Sequence, residues 1–185
     1  NCTNLERVIA LDTKLEKEFI HISAFQGCKK LREIIGIEDF IYNTGNLMGC
    51  FSSCSSLPNF TLSEDALKNC TSTMLAFYRC TSLTESPIKT FNVSDITRMF
   101  DRCTNITDIS GVTFGENINV ADGWCPPNLT TANDITIKND YVKFTNKTTL
   151  TACNNLKITS DVTELTDLFS GCNSLVDVGF SEDSD

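Results

Sequence analysis

The sequence predicts an α/β repeat solenoid of about seven turns, each built from a short parallel strand and a short helical or 3₁₀ turn. Three observations predict it. The pattern Cys-x-x-Leu recurs at Cys2 to Leu5, Cys28 to Leu31, Cys54 to Leu57 and Cys80 to Leu83, each 26 residues after the last. A ring precedes the motif cysteine by three residues at Phe25, Phe51, Phe77, Phe100 and Phe169, so the full unit reads Phe-x-x-Cys-x-x-Leu. After the motif, apolar residues advance in steps of three and two, as in Leu31, Ile34 and Ile37 or Leu57, Phe60 and Leu62.

Each part of the unit has a physical reason. Ahead of the ring stands an apolar pair at helical spacing (Ile22 with Phe25, Leu47 with Phe51, Ile96 with Met99 and Phe100, Leu165 with Leu168 and Phe169), which predicts a short helix or 3₁₀ turn. The apolar steps after the motif, seen again in Ile106, Ile109 and Val112, predict a bend followed by a short strand packed inward. Such a unit cannot bury its own apolar face, so its stability must come from stacking on its neighbours. Parallel strands roughly 4.8 Å apart make seven turns a rod on the order of 33 Å long.

The series then loosens. Cys103 to Ile106 follows after 23 residues, Cys153 to Leu156 after 50, with Leu150 in the ring position, and Cys172 to Leu175 after 19. The long gap is expected to hold one degenerate turn. Residues 112–150 lack the ring and carry Trp124-Cys125-Pro126-Pro127, whose prolines cannot donate to a ladder. That stretch is expected to loop outward before Ile135 and Ile137 rejoin the stack. Residues 1–185 read as a single solenoid domain.

These residues resemble the leucine-rich-repeat superfamily, and most closely its BspA-like surface subclass, whose units carry Met-Phe or Ala-Phe followed by x-x-Cys-x-x-Leu. Met99-Phe100-Asp101-Arg102-Cys103 and Ala24-Phe25-Gln26-Gly27-Cys28 carry the match. The resemblance covers nearly the whole chain and is weakest at 112–150. It implies an extracellular or cell-surface protein used in adhesion and recognition, with no catalytic residues to transfer.

Composition excludes several classes. With 185 residues, 41% of them hydrophobic, the chain can bury a core of ordinary size. A net charge of −9, with no basic run longer than Lys29-Lys30, leaves nothing to neutralise a row of phosphates and argues against nucleic acid. No apolar run approaches the roughly 18 residues of a membrane-spanning helix. The start Asn1-Cys2-Thr3 has neither an initiator Met nor a signal-like segment, and reads as a mature product or a fragment.

Ten cysteines in such a chain invite three readings: metal ligands, disulfides or core thiols. No Cys-x-x-Cys is present and His21 is the single imidazole, so a zinc site is not built, and no metal or other cofactor is expected. Cysteines stacked in parallel rungs keep their Cβ atoms near the rung spacing of about 4.8 Å rather than the roughly 3.8 Å that a bridge prefers. Cys28, Cys54, Cys80, Cys103, Cys153 and Cys172 are therefore expected to form one buried column of reduced thiols beside the column of rings. Cys50, Cys70 and Cys125 lie outside the motif. An oxidising compartment would favour one bridge among them, with Cys50 to Cys70 the candidate pair.

Hydrolytic chemistry is hard to assemble from this set, and an enzyme is not expected. His21 stands four residues before Phe25 and reads as a flank of the short helix rather than a general base. No nucleophile elbow, phosphate loop or zincin motif occurs. Glu64-Asp65 and the tail Glu182-Asp183-Ser184-Asp185 read as solvated charge, and no Asp-x-Asp-x-Asp-Gly loop offers a calcium site.

Asn-x-Ser/Thr occurs at Asn1, Asn59, Asn69, Asn92, Asn105, Asn128 and Asn146. With 17 Asn in a chain whose 39 Ser and Thr make up about a fifth of 185 residues, chance would place three or four, so seven is a twofold excess. Asn69 and Asn92 each lie 11 residues before a motif cysteine, on one rim of successive turns. They are the leading glycan sites, with Asn59, Asn128, Asn146 and Asn1 behind them. Asn105, inside a motif, is the least suited.

Two functional readings follow. The first is an extracellular, glycosylated structural protein that stacks end to end into a surface assembly or fibre; Cys2, Leu5 and Val8 at one end, and Leu175, Val178 and Phe180 at the other, repeat the inward phase with no cap. The alternative is an adhesin or receptor-type module that recognises a protein or glycan ligand on one solenoid face. Tyr42, Tyr78, Trp124 and Tyr141 fall at different phases of the repeat, so no recognition strip is evident.

Overall fold

A computed structural model of the chain describes residues 2–10, 19–42 and 44–181. Asn1 and the tail Glu182-Asp183-Ser184-Asp185 lie outside the described residues.

Every strand pairing is parallel, and neighbours in the sheets are successive turns of the chain. Strand β1 (Arg7–Ile9) pairs with β3 (Glu33–Ile35). Strand β2 (Phe19–Ile20) pairs with β4 (Thr44–Asn46). Strands β5 (Thr90–Phe91), β6 (Thr113–Phe114), β7 (Thr136–Ile137), β8 (Ala152–Ile158) and β9 (Asp177–Phe180) form one five-stranded sheet in chain order. A parallel sheet whose order follows the sequence requires each crossover to return to the same side, which is what a solenoid does.

The turns are counted most cleanly by the motif leucine. Leu5, Leu31, Leu57, Leu83, Ile106, Leu129, Leu150 and Leu175 follow one another at 26, 26, 26, 23, 23, 21 and 25 residues, which makes seven turns. At each of seven of these positions the backbone N–H closes a bend onto the carbonyl three residues back, from Leu5 onto Cys2 at 2.9 Å to Leu175 onto Cys172 at 3.1 Å. The six from Leu31 to Leu150 are fully buried, and Leu5 and Leu175 on the end turns are half-buried.

The segment ahead of the ring departs from the expected helix. In the turn around Phe51, the N–H groups of Cys50, Ser52 and Cys54 bond locally to Leu47, Gly49 and Phe51 at 3.1, 3.0 and 3.0 Å. The alternate N–H groups of Leu47, Gly49, Phe51 and Ser53 reach instead to Ser72, Met74, Ala76 and Tyr78 of the next turn at 2.9, 2.9, 2.9 and 2.6 Å. The same alternation runs through the turns around Phe25, Phe77 and Phe100. Left-handed residues enforce it. Positive φ occurs just before the Cys position at Gly27, Ser53, Arg79, Arg102, Asn146 and Gly171, and four residues earlier at Ser23, Gly49, Leu75, Arg98 and Asp167. A right-handed helix cannot propagate through such residues, so the segment becomes a run of tight bends that also pairs sideways. Among the described residues the only helical pieces are α1 (Ile37–Ile41) and a 3₁₀ turn at Glu64–Leu67, both elsewhere in the repeat.

Residues 112–150 do not loop outward. They hold β6 and β7 and bury Phe114, Ile118, Trp124, Leu129, Ala132, Ile135, Ile137, Val142 and Phe144. The interval contains two complete turns whose Cys position is filled by Pro126 and by Lys147. Phe144-x-x-Lys147-x-x-Leu150 is the second unit, so Leu150 is a motif leucine and not a ring substitute. Cys153 consequently leaves the expected column. It lies in β8 opposite Val178, at the inward strand position three residues after the motif leucine that Ile34 and Ile109 hold in other turns. A lysine takes the cysteine's place in this stretch, so cysteine spacing alone skips a turn.

The rings stack along the axis. Centroids are 5.6 Å apart for Phe25 and Phe51, 5.8 Å for Phe51 and Phe77, and 5.7 Å for Phe77 and Phe100, with interplanar angles of 22°, 3° and 19°. Trp124 packs edge-on between Phe114 at 4.8 Å and Phe144 at 5.6 Å, and Phe144 stacks on Phe169 at 5.6 Å. On the strand side, Phe91 and Phe114 stack at 5.4 Å. Each such pair adds about 0.5–1.5 kcal/mol beyond the area it buries. Phe77→Ala, which removes two stacks from a fully buried site, is expected to cost about 3–5 kcal/mol in urea unfolding. Phe169→Ala, at a half-buried ring stacked on one side, should cost at least 1 kcal/mol less. Equal losses would show that the column is not what holds the turns together.

Candidate functional site

The face formed by the bends carries the densest chemistry. In the turns of Phe25, Phe51 and Phe77 the ring carbonyl accepts two hydrogen bonds, one from the Cys N–H of its own turn and one from the thiol of the next. Phe25 O receives Cys28 N at 3.0 Å and Cys54 Sγ at 3.0 Å. Phe51 O receives Cys54 N at 3.0 Å and Cys80 Sγ at 3.0 Å. Phe77 O receives Cys80 N at 3.0 Å and Cys103 Sγ at 2.9 Å, and Phe144 O receives Cys172 Sγ at 2.7 Å. The cysteine is thus a small apolar filler whose weak donor satisfies a buried lone pair.

A thiol used in this way must stay protonated. Burial pushes Cys103 up to about 12 and Cys80 well above its ordinary value of 9.0. All ten cysteines are free, and all but Cys2 are buried. Cys50 sits immediately before the Phe51 ring, where burial pushes it up to about 12. Cys70 bonds the Ser72 carbonyl at 3.3 Å. Cys125 is also pushed up to about 12 by burial.

Where the motif lacks its cysteine, other side chains fill the hydrogen-bonding role. Lys147, in the Cys position, sends its ammonium to Cys125 O at 3.2 Å. The Trp124 indole N–H donates to Lys143 O at 3.1 Å. That carbonyl directly precedes the Phe144 ring, a place where intact turns receive a backbone N–H from the turn before. A cavity of about 230 Å³ lies here among Trp124, Cys125, Tyr141, Lys143, Lys147 and Asp122.

Two rows of side chains flank the thiols. The left-handed position before the cysteine supplies Ser53, Arg79 and Arg102; the position after it supplies Lys29, Ser55, Thr81 and Thr104. Together these seven line a groove of about 470 Å³ that crosses four turns. Tyr78 lies beside it with the guanidinium groups of Arg79, Arg98 and Arg102 at 5.2, 5.4 and 5.9 Å from its ring centroid. Arg98 is paired with Asp101 at 2.7 and 3.0 Å. Sequence reasoning missed this cluster because it sought basic runs; the signal was periodic, Arg immediately before Cys at both Cys80 and Cys103.

The sequon asparagines Asn59, Asn69, Asn92, Asn105, Asn128 and Asn146 are all exposed. Asn69 and Asn92 fall on successive turns, since the nearby Ser72 and Asp95 pair across the stack. Asn105 and Asn128 spend their amides on the preceding turn, donating to Thr81 O at 2.8 Å and Thr104 O at 2.9 Å. Asn105 therefore faces solvent and does not point inward.

His21 faces the Thr44 hydroxyl at 3.1 Å and packs on Phe40 at 4.3 Å, and burial lowers its pKa. Among the described residues no three His, Cys, Asp or Glu gather as a metal site, and no helix is long and apolar enough to cross a membrane. The outermost strand β9 and the turn around it expose Val176, Val178, Phe180 and Leu165.

The family model described as a BspA type leucine rich repeat region matches in six copies, spanning residues 1–125, 46–157 and 74–184. A solved structure of a leucine rich cell surface protein from Faecalibacterium prausnitzii A2-165 is 16% identical; the match covers 100% of this chain and 75% of that one, with a TM-score of 0.32. No curated protein matches the chain.

The buried thiols make stability depend on alkaline pH in a stated direction. Unfolded cysteines begin to ionise near 9.0, whereas folded Cys50 and Cys103 keep their protons to about 12. The stabilisation is therefore complete below about 9 and is lost as pH rises towards 12. Between about pH 8 and about pH 10.5, each of these thiols is expected to remove about 1–2 kcal/mol from unfolding stability. Cys50→Ala and Cys103→Ala should flatten that slope in urea titrations. An unchanged slope in both variants would mean that the thiols are not held protonated by burial.

Proposed function

The chain belongs to the BspA type leucine-rich-repeat family, and on that premise we propose that it is a non-catalytic scaffold displayed at a cell surface or outside the cell, stacking through its terminal turns. The observation that carries the stacking is the outer strand β9. Phe180 is 64% exposed and Val178 40%, on a parallel strand paired along one side only among the described residues, and Val176 just before it is 87% exposed. An apolar strand edge of this kind is a template for another strand. The complementary surface is β1, where Ile9 is 53% exposed. A contact between β9 of one copy and β1 of the next is heterologous, and it continues the existing register into a fibre if it does not close.

Glycans on Asn69 and Asn92, with Asn59, Asn128 and Asn146 behind them, would occupy the rim and leave both ends free to stack; their exposure supports this. A surface module that recognises a ligand on its side is the second reading, favoured by the arginines beside Tyr78.

Analytical ultracentrifugation tests the assembly. Species larger than the 20.5 kDa protomer are expected to grow with concentration and to dissociate in Val178→Asp/Phe180→Asp. A monomer at every concentration would sink the stacking reading. Glycopeptide mapping of secreted material is expected to find sugar on Asn69 and Asn92, and bare asparagine at both would remove the argument from register.

A further inference from the structure

We infer that the groove between the rows of Arg79 and Arg102 on one side and Lys29, Thr81 and Thr104 on the other binds a linear anionic polysaccharide, a sugar chain bearing sulfate or carboxylate groups, laid along the solenoid axis. The site goes beyond end-to-end stacking, since it uses the side of the rod and neither terminal strand.

The first support is a conformational one. Arg79 and Arg102 have φ of 58° and 64°, the left-handed region that a residue with a Cβ adopts at a cost. Other turns fill the same position with small residues or asparagine, Gly27, Ser53, Asn146 and Gly171. The fold demands the conformation and does not demand arginine. Two consecutive turns nevertheless carry one.

The second support is charge. Arg98 spends its charge on Asp101, but Arg79 and Arg102 have no acidic partner among the described residues. Both lie within 6 Å of the same ring as Arg98, so like charges crowd on one patch of a chain whose net charge is −9. Crowded cations without counter-charge are stabilised by an anion that bridges them.

The third support is the lining. Ser53 and Thr104 hydroxyls have no protein partner among the described residues, and those of Ser55 and Thr81 donate only at 3.4 Å, to Lys29 O and Ser55 O. Hydroxyls left open beside cations suit a ligand that offers both anions and hydroxyls, which a charged sugar chain does. The groove crosses four turns, roughly 14 Å at the spacing of parallel strands, so the ligand it fits is extended. Nucleic acid fits less well. Among the described residues Tyr78 is the one aromatic beside the groove, and its ring is already covered by guanidinium groups, which leaves no platform for a base.

Calorimetric titration of the full chain with a size-fractionated heparin octasaccharide tests the site. Salt-dependent binding is expected, weakened about tenfold or more by Arg79→Gly/Arg102→Gly, with the slope of log affinity against log salt smaller by about two. Because glycine already stands at this position in two turns, the melting midpoint should stay within about 3 °C of the parent. If that variant fails to fold, Arg79→Gln/Arg102→Gln gives the same readout. Lys138→Gln, an exposed charge outside the groove, should leave binding unchanged. The site is overturned if the parent does not bind the octasaccharide, if removing both arginines leaves affinity and salt slope unchanged, or if single-stranded DNA of equal charge binds as tightly.

Discussion

The doubly used carbonyl of the bend phenylalanine is the interaction on which this solenoid depends. A chain that turns sharply without a helix leaves buried carbonyl lone pairs that nothing within its own turn can satisfy. Here one lone pair is taken by the N–H of the same bend, and the other by a thiol from the next turn, as at Phe51 O with Cys54 N and Cys80 Sγ. Cysteine meets both demands of the position. It is small and apolar enough to lie beside the ring column, and it still has a proton to give. The stacking of Phe51 on Phe77 within 3° of parallel follows from turns locked in register by these bonds.

That solution constrains the backbone and leaves the surface free. The left-handed residue before each cysteine redirects the chain so that alternate N–H groups face the neighbouring turn. Its side chain is exposed at Arg79 and Arg102 and contributes nothing to the core. The position is therefore fixed in conformation and open in chemistry. Loops and rims on a rigid scaffold commonly carry recognition for this reason.

The turn at Trp124-Cys125-Pro126-Pro127 shows what happens when the rule is broken. Proline at the Cys position offers neither thiol nor N–H, and the ladder across that junction is sparse. The Trp124 indole and the Lys147 ammonium restore two of the missing donors. Both are longer than a thiol, and a cavity lined by Tyr141 and Lys147 lies beside them.

The sequence by itself determined the repeat, its axis and most of the core. Phe25, Phe51, Phe77 and Phe100, each three residues before a cysteine, could stack only if the turns were nearly equal, and apolar periodicity is local information that a chain displays directly. It also placed Asn69 and Asn92 on one rim, because register along a solenoid is arithmetic. Only the tertiary structure decided which residues share a column where the arithmetic fails. Cys153 keeps the motif's spelling but lies in β8, while Lys147 has lost the spelling and keeps the place; the choice rests on Phe144 stacking upon Phe169, a contact between residues 25 apart. Helical spacing ahead of each ring likewise became a run of bends, since hydrogen bonds to the next turn outweighed a helix too short to sustain itself. The groove of Arg79 and Arg102 was spelled in the sequence as two arginines 23 residues apart, and it became one site only when consecutive turns brought them together over Tyr78.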